Sequence, residues 1–100
     1  MIQLEQQEID RLTSLALDHE QEWLDEYIEL LKSHDHWDID FIEYKCYKVF
    51  TSEYKDDIKE YQISYFQDKG KHIPLIEAGW ILYFLATNQE HRMLNEPAES

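Results

Sequence analysis

The sequence predicts an α+β fold: an N-terminal amphipathic helical segment, a small antiparallel sheet of two to three strands, and a C-terminal helix packed on the same sheet face. Three observations carry that prediction. Apolar residues recur at helical spacing from Gln6 to Lys32, aromatic and aliphatic residues alternate within 40–50 and 58–66, and an apolar run from Trp80 to Leu85 continues into polar sequence long enough for a helix. With 100 residues, 43% of them hydrophobic and 14% aromatic, the chain is sized and composed for one core. The expected organisation is therefore a single domain over 1–100, with 95–100 around Pro97 as a flexible tail.

In the first element Ile9, Leu12, Ala16, Trp23, Tyr27 and Leu30 fall in one stripe, which Leu24 and Leu31 widen. Asp18 followed by Gln21 fits an N-cap and its capping position, so two helices, 6–16 and 19–32, compete with one long helix. Ser33 to Asp38 reads as a loop. A first strand from Asp40 to Phe50 places Ile42, Tyr44, Cys46 and Phe50 on one face, and a second from Ile58 to Phe66 alternates Tyr61, Ile63 and Tyr65. Thr51 to Asp57 would join this pair as a polar loop. Gln67 to Lys71 reads as a turn, with Gly70 free to take positive φ, and His72 to Ile76 as a short third strand that Pro74 restricts to an edge. From Glu77 to Leu94 the composition suits a buried strand as well as a helix; length and the helical face Ile76, Trp80, Tyr83, Phe84 and Thr87 favour the helix.

Charge is distributed unevenly. Residues 1–44 hold thirteen of the twenty-two carboxylates against Arg11 and Lys32 alone, a net charge of about −11, whereas 45–100 carry about −2. A strongly negative surface repels phosphates and attracts basic proteins. Direct nucleic-acid binding is disfavoured further because Lys45, Lys48, Lys55, Lys59, Lys69 and Lys71 are interspersed with Asp56, Asp57, Glu60 and Asp68. The opening residues lack a basic region followed by an apolar segment, and the run Trp80 to Ala86 is too short to span a bilayer. The expectation is a cytoplasmic protein with no membrane partner.

Motifs for chemistry are sparse. Cys46 is alone, which excludes an intrachain disulfide and a cysteine-rich zinc site, and its place between aromatic residues suits a buried thiol. Only two glycines, Gly70 and Gly79, are present, so there is no glycine-rich phosphate loop, and no serine has a nucleophile-elbow context. Solvated carboxylates are poor candidates for acid–base pairs, which need environments that separate their pKa values. We therefore expect no enzyme, no cofactor and no metal. His34, His36 and Asp38 form the one dense group of ligand types and supply the alternative, a small metal-dependent module.

On an unbroken helix Asp18, Glu22, Asp25 and Glu29 recur at spacings of four, three and four, nearly opposite the apolar stripe. Such a ridge would extend roughly 16 Å. With Asp35, Asp38 and Asp40 it forms the expected partner-binding surface, and Trp37, a large ring in a polar loop, is its expected anchor. In charge and size the chain resembles small acidic inhibitors made by phages and toxin immunity proteins, some of which imitate nucleic acid; no motif carries that resemblance and no residue roles follow from it. The function expected is inhibition by binding the basic site of a nuclease, toxin or nucleic-acid-guided complex. A structural subunit or homodimer associating through an aromatic sheet face is the remaining alternative.

Overall fold

The computed structural model describes residues 2–34 and 38–89. These form five helices: α1 (Gln6–Leu17), α2 (Leu24–Ser33), α3 (Phe41–Glu53), α4 (Lys55–Lys69) and α5 (Leu75–Ala86). The expected sheet is absent among the described residues, so the α+β prediction gives way to an all-helical bundle. Segments 40–50 and 58–66, read as strands, are α3 and α4; the loop read over 51–57 is the end of one and the start of the other; and 72–76, read as a third strand, is the approach to α5 and its first residues. None of the helices is long and apolar enough to cross a membrane.

The N-terminal stripe survives, divided between two helices. Leu12 and Ala16 are buried on α1 and Leu30 on α2, with Ile9, Trp23 and Tyr27 packed against them. Continuity fails at His19 and Glu20, where the stripe calls for an apolar residue and the chain offers polar ones. There α1 closes in tight turns, with the Asp18 and His19 amides donating to the carbonyls of Leu15 and Ala16. The carbonyl of Glu20, freed from helical bonding, accepts from Lys45 Nζ at 3.1 Å.

α3 is the organising element, the one helix that contacts each of the other four. Its start is set by Asp40, whose side chain accepts from the Glu43 amide at 2.7 Å and so satisfies an orphan donor of the first turn. Because neighbours lie on several sides, Tyr44, Lys45, Cys46, Tyr47, Val49 and Phe50 are all buried. That removes the amphipathic contrast by which a surface helix is recognised, and leaves β-branched and aromatic content as the misleading signal. Tyr54 is both the C-cap of α3 and the N-cap of α4. α4 then buries Ile58 with Tyr61 and Tyr65 half-buried, a helical spacing of three and four, whereas Ile63 is 59% exposed. Gly70 takes the expected positive φ, +67°, but as the C-cap of α4 and not in a turn between strands.

Pro74 sits at the N-cap of α5, where its fixed φ is compatible with helix entry. The helix expected near the C-terminus is thus present, beginning two residues before Glu77 and ending at Ala86; the remainder of the expected range beyond Gln89, like the tail 95–100, lies outside the described residues. Its C-terminus closes through Asn88 at φ 63° and a bond from the Gln89 amide to the Phe84 carbonyl at 2.6 Å. The extended N-terminal segment completes the closure: the Leu4 amide donates to the Ala86 carbonyl at 2.8 Å, and Gln3 Nε2 to the Leu85 carbonyl at 2.8 Å.

α5 meets α3 where Tyr47 and Trp80 stack with centroids 3.8 Å apart and an interplanar angle of 7°. Gly79 permits that approach, since a Cβ there would lie 2.9 Å from Tyr47 Oη and 3.3 Å from Cε1. The Tyr47 ring is buried and held by the stack, so it cannot move aside cheaply. Gly79→Ala should therefore destabilise by roughly 1 kcal/mol or more, the overpacking exceeding the ~1 kcal/mol gain in helix propensity. Adding Tyr47→Phe removes the clashing oxygen and should recover most of the loss; urea unfolding of the four variants in a double-mutant cycle measures it. Separately, Asp40→Ala should cost about 1 kcal/mol through loss of the α3 cap, read as a shift of the urea midpoint with unchanged slope.

Candidate functional site

The acidic positions singled out by spacing do not share one helix. Asp18 is the C-cap of α1 and Glu22 lies in the loop between α1 and α2, while Asp25 and Glu29 stand one turn apart on α2. All four are exposed. Asp38 is exposed ahead of α3, and Asp40 is its cap. Asp35, His36 and Trp37 lie outside the described residues. His34 is the C-cap of α2, and no group of three potential metal ligands assembles among the described residues.

Folding redistributes the charge. Arg11 bridges α1 to α3, its Nε and Nη1 donating to Glu8 at 3.0 Å and Glu53 at 3.1 Å. Tyr54 Oη donates to the same Glu8 at 2.8 Å. The hydrogen bonds from Arg11, then from Tyr54, hold the Glu8 carboxyl down to about 2. Two lysines of α3 also reach the N-terminal region. Lys45, 6% exposed, binds the Glu20 carbonyl and lies over the Phe41 ring at 4.8 Å; Lys48 pairs with Glu26 at 2.8 Å and lies 5.7 Å from the Trp23 ring centroid. The bond from Lys48 keeps the Glu26 carboxyl below its ordinary range.

Other pairs are looser: His19 Nδ1 is 3.1 Å from Glu22, and Lys32 Nζ is 3.6 Å from Glu29. Asp18 and Asp25 have no cation at ion-pair distance among the described residues. Asp25 and Glu26 occupy the first turn of α2, where the helix dipole favours negative charge. Asp25 and Glu29 also border a groove of about 420 Å³ whose wall includes Leu30, Tyr44 and Ile76. Burial, reinforced by the Glu26 carboxylate, pushes the Tyr44 phenol well above its usual range, so it stays a donor to Glu26 at 3.1 Å.

The arrangement thus combines exposed carboxylates, of which Asp25 has no cation at ion-pair distance among the described residues, with an adjoining apolar recess, the makings of a rim and a buried contact. The ridge spacing points to Asp25 and Glu29, with Glu26 among the charges that broaden it, but gives no sign of Tyr44 and Ile76 as groove walls. Tyr44 lies on α3 and not on the expected sheet face, and Ile76 enters the groove because α5 begins at Leu75, a start that Pro74 signals. The aromatic sheet face invoked for self-association does not exist among the described residues, since Tyr44 and Tyr47 belong to the helical core. Cys46 is likewise buried; desolvation raises its thiol pKa, and Sγ lies 3.8 Å from Thr13 Oγ1.

Comparison with protein-family models, with curated proteins and with solved structures gave no match.

The depressed Glu8 pKa has a defined pH consequence. Its stabilising contribution is complete above the ordinary carboxylate range, near 4.5, and is lost as pH falls toward about 2. Glu8→Gln should lower stability at neutral pH and flatten the decline through this acid window, measured as urea midpoints at several pH values between about 2 and 7.

Proposed function

We propose that this chain is an inhibitor that binds a basic protein, presenting carboxylates where the partner expects nucleic-acid phosphates. The observation that carries the proposal is the exposed pair Asp25 and Glu29 on the border of the apolar groove at Leu30, Tyr44 and Ile76, with Asp18 a further exposed carboxylate at the end of α1. Lysine or arginine side chains of the partner meet the carboxylates, and an apolar side chain of the partner fills the groove. Charge steers the encounter and packing slows release. The partner class is a nuclease, toxin or other nucleic-acid-processing enzyme, because such enzymes concentrate positive charge along a substrate channel. Asp38 and Asp40 extend the negative field toward α3, where together with burial they raise the Tyr27 phenol.

The test begins with capture from the native cell extract at low salt and at ~0.5 M, where exposed charges are heavily screened. A basic nucleic-acid enzyme retained at low salt and weakened at high salt is expected. With that partner purified, Asp25→Asn combined with Glu29→Gln should slow association several-fold while leaving thermal unfolding nearly unchanged. Equal association rates for this pair and the parent chain would overturn the assignment.

A further inference from the structure

A second groove lies on the other side of Tyr44 and Ile76, between α3, the first turns of α4 and the start of α5, with a volume of about 470 Å³. Its volume falls within the roughly 300–1,000 Å³ typical of small-molecule sites. The sign of its rim is opposite to that of the acidic surface. Lys48, Lys55 and Lys59 all border it, in a chain with only nine basic residues and a net charge of −13. Lys48 is already paired with Glu26. Neither Lys55 nor Lys59 has a carboxylate at ion-pair distance among the described residues. These two lysines stand one turn apart on the same face of α4, a like-charge pairing that costs helix stability unless an anion lies between them.

The body of the groove is apolar. Ile58 and the Tyr47 ring wall it, and the absent side chain of Gly79 opens it. At its mouth Leu75 and Ile76 are 48% and 41% exposed, large aliphatic side chains at the start of a helix that is otherwise almost wholly buried. A ligand covering these residues would remove their apolar area from water, which favours binding.

We propose that this groove binds a small amphiphilic carboxylate, its anionic head between Lys55 and Lys59 and its apolar body over Tyr47 and Ile76. The charge arithmetic selects a small monoanion over a larger acidic partner. Two lysines neutralise one or two negative charges, whereas an acidic peptide, a nucleic acid or a second copy of this chain brings many charges into the field of a −13 protein. The site differs from the proposed inhibitory surface in its charged residues, Lys55 and Lys59 in place of Asp25 and Glu29, and shares with it the wall of Glu26, Tyr44 and Ile76.

Isothermal titration calorimetry with decanoate, decanol and decylamine, each below its aggregation concentration, tests the proposal on the full chain. Decanoate should saturate one site, decanol should bind more weakly, and decylamine should not compete. Lys55→Gln with Lys59→Gln, both at exposed positions, should weaken decanoate about tenfold or more with unchanged far-UV circular dichroism. Ile76→Ser should weaken it without altering charge, and bound decanoate should shift the methyl resonances of Ile58 and Ile76. Absence of saturation, equal binding of decylamine, or an unchanged affinity in the lysine variant would overturn the proposal. So would displacement of decanoate by an acidic leucine-containing peptide that binds more tightly, which would assign the groove to a protein partner.

Discussion

The distance between α3 and α5 is fixed by what Gly79 lacks. With no Cβ at that position the Tyr47 ring lies flat on Trp80, and Tyr83 then meets both Tyr47 and Phe50 edge-on, at centroid separations of 6.1 and 5.4 Å. Offset and edge contacts of this kind contribute about 0.5–1.5 kcal/mol each beyond their buried area. The rest of the bundle depends on the contact. α5 is apolar around its circumference, so it needs α3 on one side, α4 on another and the N-terminal segment over its last turn. α3, in turn, is covered from two sides: Tyr44, Tyr47 and Phe50 meet α5, while Cys46 meets Thr13 of α1 and Lys45 the Glu20 carbonyl beyond it.

That central position explains what could and could not be read from sequence. α1 and α2 each present one side to the core, so their apolar stripe was legible and only its break at His19 and Glu20 was left between two readings. α5 was legible through length. α3 and α4 were not, for opposite reasons: α3 is buried on too many sides to show a 3.6-residue contrast, and α4 is so polar that Ile58 is its one buried residue. Local signals for both were nonetheless present. Asp40 and Glu43 stand in the capping-box relation, and Ile58, Tyr61, Gln62 and Tyr65 keep helical spacing. The Tyr61–Ile63–Tyr65 alternation that suggested a strand dissolves because Ile63 faces water while the two tyrosines turn inward.

Of the candidate site, residue identities were more legible than their geometry. The charge imbalance along the chain is real, yet it overstates the imbalance in space, since Lys45 and Lys48 leave the C-terminal part of the sequence to lie on the loop and helix that precede them. Arg11 is similarly committed between Glu8 and Glu53. What faces solvent with least compensation is therefore a smaller set around Asp18 and Asp25. No single-sequence charge count could isolate that set, because the neutralising lysines come from an element whose helical state and central position were both hidden.

The two grooves share Glu26, Tyr44 and Ile76, and this shared wall is where opposite charges meet. Lys48 and Tyr44 both donate to Glu26, so the wall is internally satisfied and contributes little net field in either direction. On one side of it the carboxylates of Asp25 and Glu29 remain; on the other, Lys55 and Lys59. Charge is thus separated by sign across a wall whose own ion pair is internally satisfied, and the two differently charged rims border one exposed aliphatic residue, Ile76. If both proposed sites bind, they share Ile76, so a ligand in one groove would take exposed apolar surface from the other without any movement of the helices.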